Sequence, residues 1–234
     1  LLIDEKILNH VDRWSLQNDL FSQCVSGTKQ IQEYLDFTTS YHDEDNYITL
    51  QNLAQNLYHL YKLTRKEKFS DEIRTYTAQF LGTIFDRLGW DSQKNEKHTN
   101  ALLRSFVITA LGKLGDKEIL NEARKRFNKF LKNKNSLAAD LQEPVFVLVA
   151  WQGNEKTYNK LLSLYKKSTL QEEKIRFLMA MCNFKQKNLL LKTLALSLTP
   201  EVRSQNIRVP IMGVSANIYG SDILWPWLKN NWKK

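Results

Sequence analysis

The sequence contains few of the residues that interrupt helices and few cysteines. Its 234 residues include 8 glycines, 4 prolines and 2 cysteines. Because Gly and Pro have the least favourable helix propensities, their scarcity in a leucine-rich chain favours helices. Two cysteines are too few for a disulfide-rich secreted scaffold. We expect Cys24 and Cys182, each at an apolar position of a helical pattern, to be reduced and buried in a cytoplasmic protein.

Long apolar runs are also missing. No stretch approaches the ~20 apolar residues that a membrane-spanning helix needs, so we expect no membrane partner. Asp4, Glu5 and Lys6 interrupt the opening apolar residues, which argues against a secretory signal. Since the sequence starts in mid-pattern and without Met, we expect it to be a piece of a longer polypeptide.

Motifs of catalysis and of metal or phosphate binding are absent. The four histidines are scattered, with no H-E-x-x-H, and neither C-x-x-C nor G-x-x-x-x-G-K-[ST] nor G-x-S-x-G occurs. The one local cluster of potential metal ligands, His42 to Asp45, is expected to be a solvated loop. The sequence therefore predicts no catalytic apparatus and no cofactor held by this chain.

The net charge of +9 raises nucleic acid as a partner. Acidic residues are interleaved with the basic ones over most of the chain, and the one dense basic run, 124–134, is predicted to be a solvated helix face. An RNA-binding solenoid would need exposed aromatic side chains for stacking, whereas most aromatics here fall in apolar stripes. We therefore do not expect nucleic acid to be the partner.

Apolar residues recur at spacings of three and four along most of the chain, which predicts helices. Gly27 and Gly89 are expected to end helices, and Ser70-Asp71-Glu72 and Asp116 to cap them. The apolar segment Pro144–Trp151 has strand-like composition, but its helical neighbours favour a fully buried helix starting near Pro144. We predict an all-α fold, a superhelical array of antiparallel helix pairs (a HEAT/armadillo-like α-solenoid) that forms a concave bowl, as a single domain over residues 1–234.

The tail, 201–232, contains the best candidate site. Two guanidiniums, Arg203 and Arg208, flank the amides of Gln205 and Asn206, and such groups can hold carboxylates or backbone carbonyls in a fixed geometry. The same groups would also serve to cap helix ends and tie the tail to the solenoid. Gly213 and Gly220 are expected to allow turns, and a final helix with three tryptophans, Trp225, Trp227 and Trp232, is expected to dock as a terminal cap.

Short stretches along nearly the whole chain carry a family resemblance. They are Asp12–Asp19 (DRWSLQND), Leu88–Trp90 (LGW), Ala101–Arg104 (ALLR), Glu173–Arg176 (EKIR), Arg203–Asn206 (RSQN), Ala216-Asn217, Leu224–Trp227 (LWPW) and Asn231-Trp232. In this order they resemble the C-terminal helical domain of the large zinc aminopeptidases of the aminopeptidase N type. That group includes the endoplasmic-reticulum aminopeptidases, the puromycin-sensitive enzyme and the archaeal tricorn-interacting aminopeptidases, and we expect an archaeal type.

The resemblance implies a noncatalytic domain that covers the active site and encloses the substrate chamber, with zinc held in a catalytic domain absent from this sequence. The implied partners are peptide substrates, the catalytic domain of the same polypeptide and a larger protease complex. We expect Arg203, Gln205, Asn206, Arg208 and Arg104 to bind peptide, with the arginines attracting its free carboxylate. The family often has Asp where Asn206 stands, so this chain would replace a carboxylate with an amide hydrogen bond at that position. The alternative is a freestanding helical-repeat scaffold that binds a protein or peptide.

Overall fold

The computed structural model describes Ile3 and residues 7–233. Within these residues the chain forms twelve α-helices, three short 3₁₀ helices and no β-strand, which confirms the all-α prediction. The α-helices are α1 (His10–Val25), α2 (Ile31–Thr38), α3 (Tyr47–Thr64), α4 (Ser70–Leu88), α5 (His98–Leu114), α6 (Lys117–Lys132), α7 (Ala139–Trp151), α8 (Glu155–Lys167), α9 (Gln171–Met181), α10 (Lys187–Leu196), α11 (Arg208–Ala216) and α12 (Ser221–Asn231). The 3₁₀ helices are Thr39–Tyr41, Lys134–Ser136 and Ser204–Asn206. The sequence of Leu1 to Gly27 also predicts one short helix before the helix that contains Trp14, and residues 1, 2 and 4–6 of that stretch lie outside the described residues.

Short polar side chains fix the N-termini of several helices. The side-chain oxygens that accept hydrogen bonds from first-turn amides belong to Asn9, Asn46, Asp116 and Asn154. The prediction for Asp116 is thus confirmed, but the one for Ser70 is wrong. Ser70 is the first helical residue of α4, and the N-cap is Phe69, which makes no side-chain cap bond. Asp71 and Glu72 instead place negative charge in the first turn, where the helix dipole favours it.

The predicted buried helix at Pro144–Trp151 is confirmed as the larger part of α7. All eight residues from Pro144 to Trp151 are buried. The helix begins earlier than expected, at Ala139, so Pro144 lies inside it and not at its first position. Because every side of this stretch faces protein, its sequence is continuously apolar and lacks the stripe of a half-exposed helix.

Two compact units make up the chain, Leu1–Ala110 and Leu111–Lys234. In the first unit, α3 packs against α1 and α4, and α2 packs against α1. One cluster of its core contains side chains from these four helices: Phe21, Tyr34, Leu57, Leu60 and Ile73. These residues belong to the apolar stripes that the spacing predicts. The arrangement of the whole chain as one concave solenoid stays a prediction.

In the second unit, α7 packs between α6 and α9, and α9 also contacts α8 and α11. Phenylalanines fill the space between α6, α7 and α9. The ring centroid of Phe146 lies 5.0 Å from that of Phe130 and 4.9 Å from that of Phe177. This tight aromatic packing fixes α6 relative to the helices that follow it. No helix in the described part of the chain has the length and apolar character needed to cross a membrane.

Candidate functional site

The polar cluster of the tail spans a 3₁₀ helix and the start of α11. Arg203 precedes the 3₁₀ helix Ser204–Asn206, and Arg208 is the first residue of α11. Arg203, Gln205 and Arg208 are exposed, whereas Asn206 is 8% exposed and counts as buried. The structure therefore brings two guanidiniums and one amide together on a short surface segment.

The segment after this cluster is anchored by Asn217, a residue for which the sequence analysis predicted no structural role. Its Nδ2 donates to the main-chain carbonyls of Cys182 and Phe184 over 2.9 and 2.8 Å. Its Oδ1 accepts a hydrogen bond from the amide of Tyr219 at 2.9 Å. With 3% of its surface exposed, Asn217 ties the end of α11 to the turn between α9 and α10. Because both the nitrogen and the oxygen of this buried side-chain amide are hydrogen-bonded, Asn217 orients the chain on both sides of it.

Gly213 makes the approach of α11 to Cys182 possible. A Cβ at position 213 would lie 2.7 Å from the Cβ and 2.8 Å from the Sγ of Cys182. Gly213 lies inside α11 and not in the turn that the sequence predicted. Its function is close packing, because any larger residue would push α11 away from the end of α9.

The prediction that all three indoles dock is wrong for two of them. Trp225 is 63% exposed and Trp232 is 79% exposed, and only Trp227 is partly buried. The helix that carries Trp225 and Trp227, α12, has no fully buried residue and packs chiefly against α11. A helix that packs chiefly against one neighbour buries one stripe of its surface, so indoles on the other sides stay in solvent.

Arg104 lies in the first unit, on α5, and its side chain is fully buried. Its guanidinium is ion-paired with Glu96 and donates to the carbonyls of Leu88 and Gly89 at the end of α4. Burial would raise the pKa of Glu96, but the hydrogen bond and positive charge of Arg104, together with the amide of Gln93, hold that pKa below its ordinary value. The prediction that Arg104 contacts peptide is corrected by this burial. Its guanidinium is already used to pair with Glu96 and to bind the carbonyls at the end of α4.

The loop His42–Asp45 is only partly the solvated loop that the sequence predicted. His42 and Asp43 are exposed, but Glu44 is 3% exposed. Its carboxylate accepts hydrogen bonds from Arg13 Nε at 2.6 Å and Arg13 Nη2 at 2.8 Å, and also from the amides of Asp45 and Asn46. Burial would raise the pKa of Glu44, but these donors together hold it below its ordinary value. The pair joins α1 to the loop before α3 and has a structural role.

Metal binding finds no support in the described residues. Within Ile3 and residues 7–233, no group of three or more His, Cys, Asp or Glu side chains is placed to hold a metal ion. A catalytic zinc site needs three protein ligands and an open position. The described part of this chain therefore does not fit a zinc site.

Comparison with known proteins gives the same family along the whole sequence. The family model for the ERAP1-like C-terminal domain matches residues 1–234. Aminopeptidase M1-A of Oryza sativa subsp. japonica is 29% identical over 98% of this chain and 27% of its own length. The glutamyl aminopeptidase of Sus scrofa is 29% identical over 100% of this chain and 25% of its own length. Probable aminopeptidase 2 of the archaeon Sulfurisphaera tokodaii is 26% identical over 98% of this chain and 28% of its own length.

This chain thus spans about a quarter of the length of the curated relatives that it matches. The relatives come from plants, a mammal and an archaeon, so the match is to the domain and not to one lineage. Because the family model covers every residue, the chain belongs to the ERAP1-like C-terminal domain family.

Proposed function

We propose that this chain is the noncatalytic C-terminal domain of a zinc aminopeptidase, where it covers the active site, encloses the substrate chamber and helps to bind peptides. The observation that carries the proposal is the match along the whole chain to a C-terminal domain family and to aminopeptidases about four times as long. The same match favours this function over a freestanding helical-repeat scaffold. In this proposal the remainder of the polypeptide holds the zinc, as the family resemblance implies; the described residues here include no group of side chains placed to hold a metal ion.

The tail supplies the best candidates for contact with peptide. Arg203, Gln205 and Arg208 are exposed on one short segment, and the anchored Asn217 fixes the chain that follows them. A guanidinium fork matches the geometry of a carboxylate and attracts it over several ångströms. We propose that Arg203 and Arg208 bind the free carboxylate of a peptide substrate and that Gln205 hydrogen-bonds to its backbone. Asn206 is buried, so we assign it no contact with peptide.

The first experiment measures aminopeptidase activity of the purified chain with zinc on fluorogenic aminoacyl substrates and short peptides. The proposal requires no turnover by the chain alone and restored peptide trimming when the catalytic fragment is added. Zinc-dependent turnover by the chain alone would refute the proposal, because it would place a catalytic site within these residues.

A second experiment tests the arginines in the full polypeptide. We expect R203A/R208A to raise KM about threefold to tenfold for peptides with a free carboxylate, because two partly screened charge contacts are lost. KM for the same peptides ending in an amide should not change. The control is K129A/K132A, which removes two exposed positive charges from α6. If R203A/R208A affects acid and amide peptides equally, the arginines do not recognise the carboxylate.

Two further parts of the proposal concern the setting of the protein. A cytoplasmic location is supported by Cys24 and Cys182, which are both free thiols. A larger protease complex and the tricorn-interacting type remain predictions of the resemblance, and gel filtration of the full polypeptide from its native source would test the complex. Co-elution with other peptidases is the expected result, and a monomeric elution volume would contradict it.

A further inference from the structure

A groove of about 730 Å³ opens on the second unit, lined by residues of α6, of α8 and of the turn between α7 and α8. We call it the basic groove. Its charged lining residues are Arg124 on α6 and Lys156 and Lys160 on α8, and its amide side chains include Asn128 and Asn159. The sequence separates Arg124 from the two lysines by more than thirty residues, so their meeting depends on the packing of the helices.

No carboxylate lines the basic groove. The nearest acidic residues along the two helices have partners of their own. Glu122 is ion-paired with Lys125 and Arg126, and Glu155 is ion-paired with Lys192. Within the described part of the chain, Lys156 and Lys160 have no ion-pair partner. They stand four residues apart on one helix, where two like charges destabilise each other. The groove thus concentrates positive charge that the described residues do not neutralise.

A hydrogen bond orients the guanidinium of Arg124 before any ligand arrives. Its Nη2 donates to the side-chain oxygen of Gln152 at 2.6 Å, and the amide nitrogen of Gln152 donates to the carbonyl of Leu120 at 2.8 Å. This chain of hydrogen bonds holds one edge of the guanidinium and leaves its other N–H groups available to the groove. An arginine oriented in this way loses little conformational entropy when it binds an anion.

The remaining lining residues restrict the kind of anion. Phe127, the one aromatic side chain among them, is buried. The groove therefore offers no exposed ring on which a nucleobase would stack, which argues against single-stranded nucleic acid. Its volume falls within the range of small-molecule sites, and its amides suit hydroxyl or carbonyl groups.

We infer that the basic groove binds a small non-aromatic organic molecule with two or more phosphate or carboxylate groups. Arg124 would bind one such group with its guanidinium, and Lys156 and Lys160 would bind a second group on the opposite helix. This inference does not depend on the proposed function, because the groove contains none of the residues assigned to peptide binding.

The test is isothermal titration calorimetry of the full polypeptide with two probes, citrate for carboxylates and fructose 1,6-bisphosphate for phosphates. Acetate and methyl phosphate serve as probes with one anionic group. We expect one molecule of at least one of the first two probes to bind, and K156Q/K160Q to weaken it at least about tenfold, because two charged contacts are lost. The preferred probe identifies the anionic group. R124K should also weaken binding, because it keeps the charge but loses the planar fork.

The matched control is K129Q/K132Q, which removes the same charge from exposed positions of α6 outside the groove lining. Circular dichroism and thermal melting check that each variant is folded. Equal weakening by both double variants would show attraction by net charge alone and would overturn the inference. So would a wild-type Kd above about 1 mM for both probes, or binding of single-stranded RNA in their place.

Discussion

Replacing Glu44 by Gln should destabilise the first unit more than any other single charge removal described above. Gln has nearly the shape of Glu and keeps an oxygen for the amides of Asp45 and Asn46, so the change isolates the charge and one of the bonds to Arg13. The side chains of Arg13 and Glu44 are 7% and 2% exposed, so solvent screens them little. Breaking a buried pair by removing one partner costs about 3–5 kcal/mol, because the other charge stays buried and uncompensated.

Such a loss is a large part of the ~5–15 kcal/mol that stabilises a typical domain. For a chain of this size, each kcal/mol of lost stability lowers the melting temperature by about 2–4 °C. We therefore expect the melting temperature of E44Q to fall by about 10 °C. Urea unfolding of both proteins at pH 7, followed by circular dichroism, measures the difference. The control is E33Q, which breaks the ion pair of Glu33 with Lys29; both of those side chains are more than two fifths exposed. Its unfolding midpoint should not change measurably.

The difference between wild type and E44Q should also depend on pH in one direction. The folded state holds the pKa of Glu44 below its ordinary value. The stabilisation is therefore complete above the pKa of the unfolded chain, about 4.3 for Glu, and is lost as the pH falls through the lower folded pKa. We expect the gap to close as the pH drops from 5 towards 3. A gap below about 0.5 kcal/mol at pH 7, or one that stays constant at acid pH, would refute the reasoning.

Further predictions concern the packing of the second unit and of α4. Gly213→Ala should lower the free energy of unfolding in urea by about 1–3 kcal/mol, because its Cβ would meet Cys182 at 2.7 Å. Gly82→Ala in α4, where a Cβ would meet nothing within 4 Å, should raise the free energy of unfolding by about 0.5–1 kcal/mol. Equal effects of the two substitutions would contradict the packing argument. Asn217→Ala should lower the free energy of unfolding by about 2 kcal/mol, because the carbonyls of Cys182 and Phe184 lose their hydrogen-bond donor. An unchanged stability in thermal melting would contradict the anchoring role of Asn217. Burial raises the pKa of the Cys182 thiol to about 12. Maleimide at pH 8 should therefore label the half-buried Cys24 first and Cys182 only after unfolding. Labelling of both cysteines at similar rates in the native protein would contradict this prediction.

The positions of helices follow from local patterns, which is why they are predictable from the sequence. The spacing of apolar residues, the cap at Asp116 and the glycine that ends α4 act within one or two turns. The start of α7 was predicted less well, because Pro144 is compatible both with a first helical position and with a buried interior. The tertiary packing around α7 decided between them.

The candidate site divides in the same way. Residue type identified Arg203 and Arg208 as guanidinium groups able to bind a carboxylate, and both are exposed in the structure. Residue type could not separate them from Arg104, which has the same chemistry but lies buried against Glu96. Which of three arginines is available depends on which carboxylates and carbonyls the fold brings next to each one.

The sequence by itself determined the helical class, several helix boundaries and the family, because periodicity, caps and short motifs are properties of neighbouring residues. Only the tertiary structure decided that Glu44 is buried, that Trp225 is exposed, and that Arg124 meets two lysines of α8 in one groove. The physical reason is that burial and charge compensation depend on contacts between residues far apart in the chain, and no local pattern records which partners will meet.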